Sequence, residues 1–295
     1  MVTFIENLIN GLSMGSIYAI IAIGYTMVYG IAKMLNFAHG DIIMVGSYAA
    51  FIMISTLGVP VPLGILGSVI ICLCLGIMIE KIAYKPLRNA GSPLAVLITA
   101  IGVSYFLQNG AMLVFGSNTK SFTSVIPASI QTMQIGPFQV KGIAVVSIMT
   151  SLILVGILQT FINRTRPGQA MLACSQDRAA ASLMGISVNN TITLTFAIGS
   201  AMAAIAGVLM CSYSPALTPT TGAMPGIKAF TAAVFGGIGS IPGAMVGGLV
   251  LGIIEQLSKY YISQQVSDAI VFGVLIIILL VKPTGLFGKV IQEKV

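Results

Sequence analysis

Nine apolar runs decide what this chain can become. They fall at about 8–31, 40–58, 61–80, 94–115, 142–162, 191–212, 226–238, 242–257 and 266–282. Most reach the roughly 20 residues that a helix needs to cross a hydrocarbon layer. Between them there is little with which to cover a water-soluble globule: 57% of residues are hydrophobic and 7% are charged, where a soluble domain carries about a quarter charged. The expectation is an all-α polytopic membrane protein, a single transmembrane domain over 1–295 with eight to nine transmembrane or broken helices. No cleavable signal peptide is expected, because MVTFIENLIN has neither a basic start nor a cleavage site.

The count turns on one breaker cluster. The two shortest runs flank Gly236-Gly237-Ile238-Gly239-Ser240-Ile241-Pro242-Gly243, which no straight helix tolerates. One interrupted helix makes eight spans; two short crossings make nine. With the Lys81–Arg88 loop and the segment at 164–190 both inside, nine crossings put ten of the 14 Lys and Arg inside, among them Lys33, Lys282, Lys289 and Lys294. Lys120, Lys141, Lys228 and Lys259 stay outside. Eight crossings give eight inside and six outside. Positive charge collects on cytoplasmic loops, so nine is favoured, with the N-terminus out and the C-terminus in. The net charge of +7 is read as the same bias and not as a nucleic-acid surface, since no basic patch is interleaved with aromatics.

The segment at about 164–190, RTRPGQAMLACSQDRAAASLMGISVNN, is unlike the other connections. Pro167 and Gly168 punctuate its start, helical spacing runs to about Met184, and Gly185 closes it. It reads as a structured helix outside the bilayer, either a handle for a partner protein or an ordinary cytoplasmic loop held by positive charge.

Two places invite chemistry. Asn36-Phe37-Ala38-His39-Gly40-Asp41 lies between two apolar spans. Ionisable groups at membrane depth cost about 2.5–3.5 kcal/mol even on insertion scales. Buried, His39 and Asp41 need partners and mark a broken helix beside a conduction path; at the headgroups they belong to a wet turn. Gly236–Gly243, with Gly237, Gly239 and Pro242, is either a hinge beside the path or a tight turn. Glu80, Lys81, Glu255 and Lys259, at span ends, read as interfacial anchors. Gly11/Gly15, Gly243/Gly247 and Gly248/Gly252 have the small-xxx-small spacing of close helix packing. The one histidine and four cysteines (Cys72, Cys74, Cys174, Cys211) show no metal-ligand spacing, and free thiols are expected. There is no GxxxxGK[ST] phosphate loop and no triad, so neither an enzyme nor an ATP site is expected in this chain.

GYTMVYGIAKMLNFAHGDIIMVGSY (Gly24–Tyr48), KAFTAAVFGGIGSIPGAMVGGLVLGIIEQL (Lys228–Leu257) and KPTGLFGK (Lys282–Lys289) resemble the permeases of branched-chain amino-acid ABC importers, H-type subunit (LivH family). Ala179-Ala180-Ala181-Ser182-Leu183-Met184-Gly185 is similar to the EAAxxxG loop by which importer permeases grip their ATPase, with Ala179 where that pattern has Glu. The resemblance implies a bacterial or archaeal cytoplasmic-membrane importer. It would comprise this chain, a second permease subunit (LivM-like), two ATPases and an external solute-binding protein. ATP would be bound by the partner and no cofactor by this chain; urea or short amides are the alternative cargo. It places ATPase coupling at Gln169, Asp177, Arg178, Ala180, Ala181 and Gly185. We expect the translocation path near Asn36, His39, Asp41, Gly237, Gly239 and Pro242. Two other classes remain in competition: a secondary transporter relaying protons through His39 and Asp41, and a passive channel for urea-like solutes. Neither needs a structured cytoplasmic helix.

Overall fold

α1 (Val2–Ala32) is the axis of the molecule. From Ile17 to Ile23 every residue is buried, and a helix apolar on all faces belongs in the middle of a bundle. The computed structural model describes residues 2–89, 93–127 and 131–288; Lys289 and Lys294 lie outside them. Around α1 stand α2 (His39–Phe51), α3 (Val61–Ile79), α4 (Pro93–Phe115), α5 (Gly142–Arg164), α8 (Val188–Tyr213), α9 (Ala223–Gly236), α10 (Ile241–Tyr261) and α11 (Ser267–Val281). α2 continues through a π-helical turn, Ile52–Thr56, and α3 through another, Glu80–Tyr84, followed by a 3-10 turn, Lys85–Asn89. The short α6 (Arg166–Gln176) and α7 (Arg178–Leu183) fill the connection between α5 and α8. Six of these helical stretches are long and apolar enough to cross a membrane. α8 is mostly buried beside α1, whereas α4 and α5 expose most of their apolar surface, as helices facing lipid or another subunit do.

Glycine lets α1 and α10 lie almost backbone to backbone. A Cβ on Gly15 would stand 2.8 Å from the Leu249 Cα, one on Gly11 2.9 Å from the Ile253 Cα, and one on Gly252 would overlap the Gly15 backbone. As the numbers rise along α1 they fall along α10, so the pair is antiparallel. Gly243 and Gly247 do the same work between α10 and α9, against Gly236 and Ala232. The small-xxx-small spacings therefore mark real interfaces, where close approach supplies dispersion contact that lipid cannot.

The bundle has two unlike ends. At one, Lys33, Lys81, Lys85, Arg88, Arg164, Arg166, Arg178 and Lys282 gather around α6, α7 and the α9–α10 turn. At the other, two small ladders close the connections: β1 (Lys120–Ser121) pairs with β4 (Ala216–Leu217), and β2 (Thr132–Ile135) pairs with β3 (Phe138–Lys141) as a hairpin. Among the described residues, nine helical segments pass between these ends, beginning at the strand end and finishing at the basic end.

Two of the nine passes are incomplete helices. After Ala32 the chain turns at Lys33, whose φ of 49° is left-handed, and runs without helix to His39, which packs on Gly24. Gly24 lies about two helical turns, about 12 Å, inside the end of α1. α9 likewise starts inside the bundle: its N-cap Gly222 meets Gly40 of α2. α2 leaves this meeting point toward the strand end and α9 toward the basic end.

Candidate translocation path and coupling surface

The meeting point of α2 and α9 is tight because glycine stands on both sides. A Cβ on Gly40 would lie 2.7 Å from the Gly222 carbonyl oxygen, and one on Gly226 2.8 Å from the Gly40 Cα. Two helix N-termini, each with unpaired N–H groups and the positive end of its dipole, converge in the bundle interior. Asp41 sits in the first turn of α2, where its carboxylate complements the dipole and accepts from Gln108 Nε2 at 2.8 Å. His39 packs edge-on against Tyr25, ring centroids 4.6 Å apart. The Asn36 side chain accepts from the Tyr84 hydroxyl at 2.8 Å, while its Nδ2 and the His39 Nε2 have no hydrogen-bond partner among the described residues. All three expected path residues here, Asn36, His39 and Asp41, are buried; this is a broken-helix junction and not a wet turn.

The second expected path region is organised differently. Gly236–Gly243 is a tight turn: Gly237 ends α9 with φ 102°, Ser240 caps α10 by accepting from the Gly243 N–H at 3.2 Å, and Pro242 stands in the first turn of α10. Gly237 is buried against Gly288, while Gly239 and Pro242 are exposed at the basic end. A narrow crevice joins the two regions. It is lined by Tyr25 and Tyr29 of α1, Met34 and Asn36 of the connecting strap, Phe230 of α9 and Ile238 of the turn.

Above the crevice lies a charge network that sequence reading missed. Lys228 of α9 bridges Glu255 of α10 at 2.8 Å and Asp268 of α11 at 2.6 Å. Glu255 also accepts from the Tyr18 hydroxyl at 2.7 Å and from Lys259. Glu255 is therefore no interfacial anchor, and Lys228 is not in an outside loop: both are buried and tie four helices together. Glu80 is corrected in the same way. It is buried, paired with Arg88, and accepts from the Thr193 hydroxyl at 2.7 Å. An uncompensated charge here would cost several kcal/mol, so each carboxylate is surrounded by donors. Position along the span gave no signal: Glu80 closes the run 61–80 and Glu255 lies two residues from the end of 242–257.

The 164–190 segment is not the single helix its spacing suggested. It breaks at Asp177, whose extended backbone (φ −151°, ψ 116°) ends α6 and whose carboxylate caps α7 by accepting from the N–H groups of Ala179 and Ala180. Thr165 caps α6, accepting from the Gly168 N–H at 3.1 Å. Gln169 donates to the carbonyls of Ile162 and Asn163, closing the end of α5. Met171, Cys174 and Ala181 are buried beneath the two helices. The Arg178 guanidinium turns inward, Nε and Nη2 both donating to the Ile31 carbonyl at 3.1 and 2.9 Å; burial, then the neighbouring Arg88, lower its pKa from the ordinary value. Of the six residues expected to couple, Ala181 is buried and Arg178 half-buried, while Gln169, Asp177, Ala180 and Gly185 are exposed; Gln169 and Asp177 also serve the element's own caps. The outward face adds two residues not singled out, Leu183 and Met184, 89% and 82% exposed. Two large apolar residues before the closing glycine of a polar helix were the available signal.

Comparison with known proteins agrees with the resemblance carried by the Gly24–Tyr48 and Lys228–Leu257 stretches. The family model described as "Branched-chain amino acid transport system / permease component" matches residues 7–280. The high-affinity branched-chain amino acid transport system permease protein LivH of Salmonella typhimurium is 46% identical, with 99% of this chain and 98% of that protein covered. BraD of Pseudomonas aeruginosa, a permease protein of the same description, is 45% identical over the same shares. A probable LivH of Methanocaldococcus jannaschii is 28% identical over 92% of this chain and 89% of its own. This chain belongs to the family of permease components of branched-chain amino acid transport systems.

Proposed function

We propose that this chain is the membrane subunit of an ATP-driven importer that brings leucine, isoleucine and valine across the cytoplasmic membrane. Permease components of this family are transport subunits and not enzymes, and they work with other subunits of a transport system; the chain is accordingly a multi-pass integral protein of that membrane. The rest is our reading. The basic end faces the cytoplasm, by the positive-inside bias. Residues 1–295 form one permease domain, paired with a second permease subunit similar to LivM. Two ATPases bind ATP below, and a solute-binding protein delivers cargo from outside. The amino-acid class comes from the relatives' descriptions.

The observation that carries this reading is the tip of α7. Leu183 and Met184 project from a capped helix pair, beside Gly185, almost wholly exposed among the described residues. Large apolar side chains presented this way, outside the spans, suit a protein groove. A helix fixed at its root by caps and burial transmits a push, which a loop does not. Cargo would pass by the junction at Asn36, His39 and Asp41 and leave beside Gly237, Gly239 and Pro242. The test is uptake by proteoliposomes containing this chain and the subunits that copurify with it. ATP-dependent accumulation of leucine, undiminished by excess urea, supports the reading; uptake by the lone chain driven by a proton gradient contradicts it.

A further inference from the structure

A push on the handle must reach the path, and among the described residues the two handle helices, α6 and α7, have one side-chain hydrogen-bonded link to a membrane helix other than α5. That link is the fork of Arg178 on the Ile31 carbonyl. Ile31 lies in the last turn of α1, where carbonyls lack intrahelical donors. A guanidinium with two N–H groups on one such carbonyl fixes direction as well as distance, which a lysine ammonium does not. The neighbouring guanidinium of Arg88 is engaged elsewhere, by Glu80 and by Asn189.

Just beyond Ile31 the chain becomes the strap. Ala32 ends α1, Lys33 reverses the chain in the left-handed region, and Met34 and Asn36 form one wall of the crevice whose other walls are α1 and α9. Asn36 is tied to Tyr84 of the α3 extension, and two residues after Phe37 the chain enters α2 at His39. Lys33 is the only non-glycine residue with positive φ among the described residues, a conformation held by its surroundings and not by its own preference. Anything that shifts the Ile31 carbonyl shifts the turn at Lys33 and with it the crevice wall.

We propose that Arg178 is the positioning residue that links the ATPase-facing handle to the 33–38 strap, and that the strap is the element moved to open and close the crevice against α9. This deepens the importer reading and rests on it. Arg178 does not contact the ATPase and does not contact cargo; it acts through the end of α1.

The test uses the whole complex, purified through this chain and reconstituted in liposomes, with Arg178→Ala and Arg178→Lys. ATPase recovery per permease, ATP hydrolysis and leucine uptake are measured on the same preparations. Recovery is expected to stay at the wild-type level in both variants. Uptake per ATP hydrolysed is expected to fall about tenfold or more in Arg178→Ala, since a charge-assisted hydrogen bond no longer favours one state of the strap. Arg178→Lys should fall between the two. Unchanged uptake per ATP in Arg178→Ala overturns the proposal. So does loss of the ATPase, which would make Arg178 a docking residue. Failure of even Arg178→Lys to yield folded protein also overturns it, because the bond would then be needed for the fold. If wild-type complex carries no ATPase, the importer reading itself fails, and that result is separate from all of these.

Discussion

Two groups of glycines in this chain have opposite surroundings. Where α2 meets α9, Gly40, Gly222 and Gly226 touch backbone on the far side, and no side chain fits. At the tip of the handle Gly185 is in the left-handed region, φ 81°, and nothing lies within 4 Å of where its Cβ would be. Both kinds of glycine are required, the first by packing and the second by backbone conformation alone. The interior is complete within this chain, whereas the handle tip is left open, with Leu183 and Met184 exposed beside it. A surface that is shaped, apolar and empty is one whose complement belongs to another molecule.

That contrast can be broken or sharpened by substitution. The largest effect is expected inside. Glu255→Ala leaves Lys228 and Lys259 facing each other without their shared carboxylate, and removing one partner of a buried charge network costs about 3–5 kcal/mol. Thermal unfolding in detergent should show a large drop or no folded protein; an unchanged transition would mean that the network is wet. Gly222→Ala comes next. Its methyl overlaps the Gly40 carbonyl, and overpacking of this kind costs about 1–3 kcal/mol. The same melting assay should find it less stable than wild type, and wild-type stability would show that the two N-termini stand farther apart.

Gly239→Leu is expected to matter less for the fold. Its φ of 97° disfavours any side chain, but nothing crowds the position, so strain of about 1–2 kcal/mol is all that opposes it. If the turn borders the cytoplasmic exit of the path, uptake falls while the complex still assembles; normal transport removes Gly239 from the path. Smallest for stability is Leu183→Asp, within about 0.5 kcal/mol of wild type because the side chain is almost wholly exposed. Its expected effect lies elsewhere, in the amount of ATPase recovered with the permease. If recovery is normal, the tip is not the docking surface.

The sequence was legible where the signal is local. Each of the nine apolar runs became a helical segment among the described residues, with boundaries close to those read; the six long ones have the length that hydrocarbon thickness sets. The glycine spacings on α1 and α10 pointed correctly to a close interface. The break at Asn36–Asp41 and the turn at Gly236–Gly243 were both visible as punctuation. What escaped is pairing across distance. Glu255 meets Tyr18 and Lys228 from other helices, so its burial could not be told from position along its own span. Asp177 was placed inside one helix running to about Met184, as a coupling residue; its carboxylate, with extended backbone, starts a second helix, a competition between side-chain capping and helix continuation that spacing does not resolve. Arg178 was placed among the coupling residues by the resemblance of its segment; its guanidinium instead turns to an orphan carbonyl at the end of α1, a partner from another helix.

The most direct measurement is recovery of an ATPase when the chain is extracted gently from its native membrane, wild type beside Gly185→Trp. The indole has open space in this chain, but the left-handed backbone at Gly185 strains any side chain, so Gly185→Ala, with the same strain and little bulk, is measured beside it and the difference between the two is the obstruction to a partner. The expected result is an ATPase that copurifies with wild type and is lost, or hydrolyses ATP without transport, in Gly185→Trp. A wild-type chain that emerges alone and moves solute in liposomes without ATP would contradict the account, and the handle would be a cytoplasmic loop.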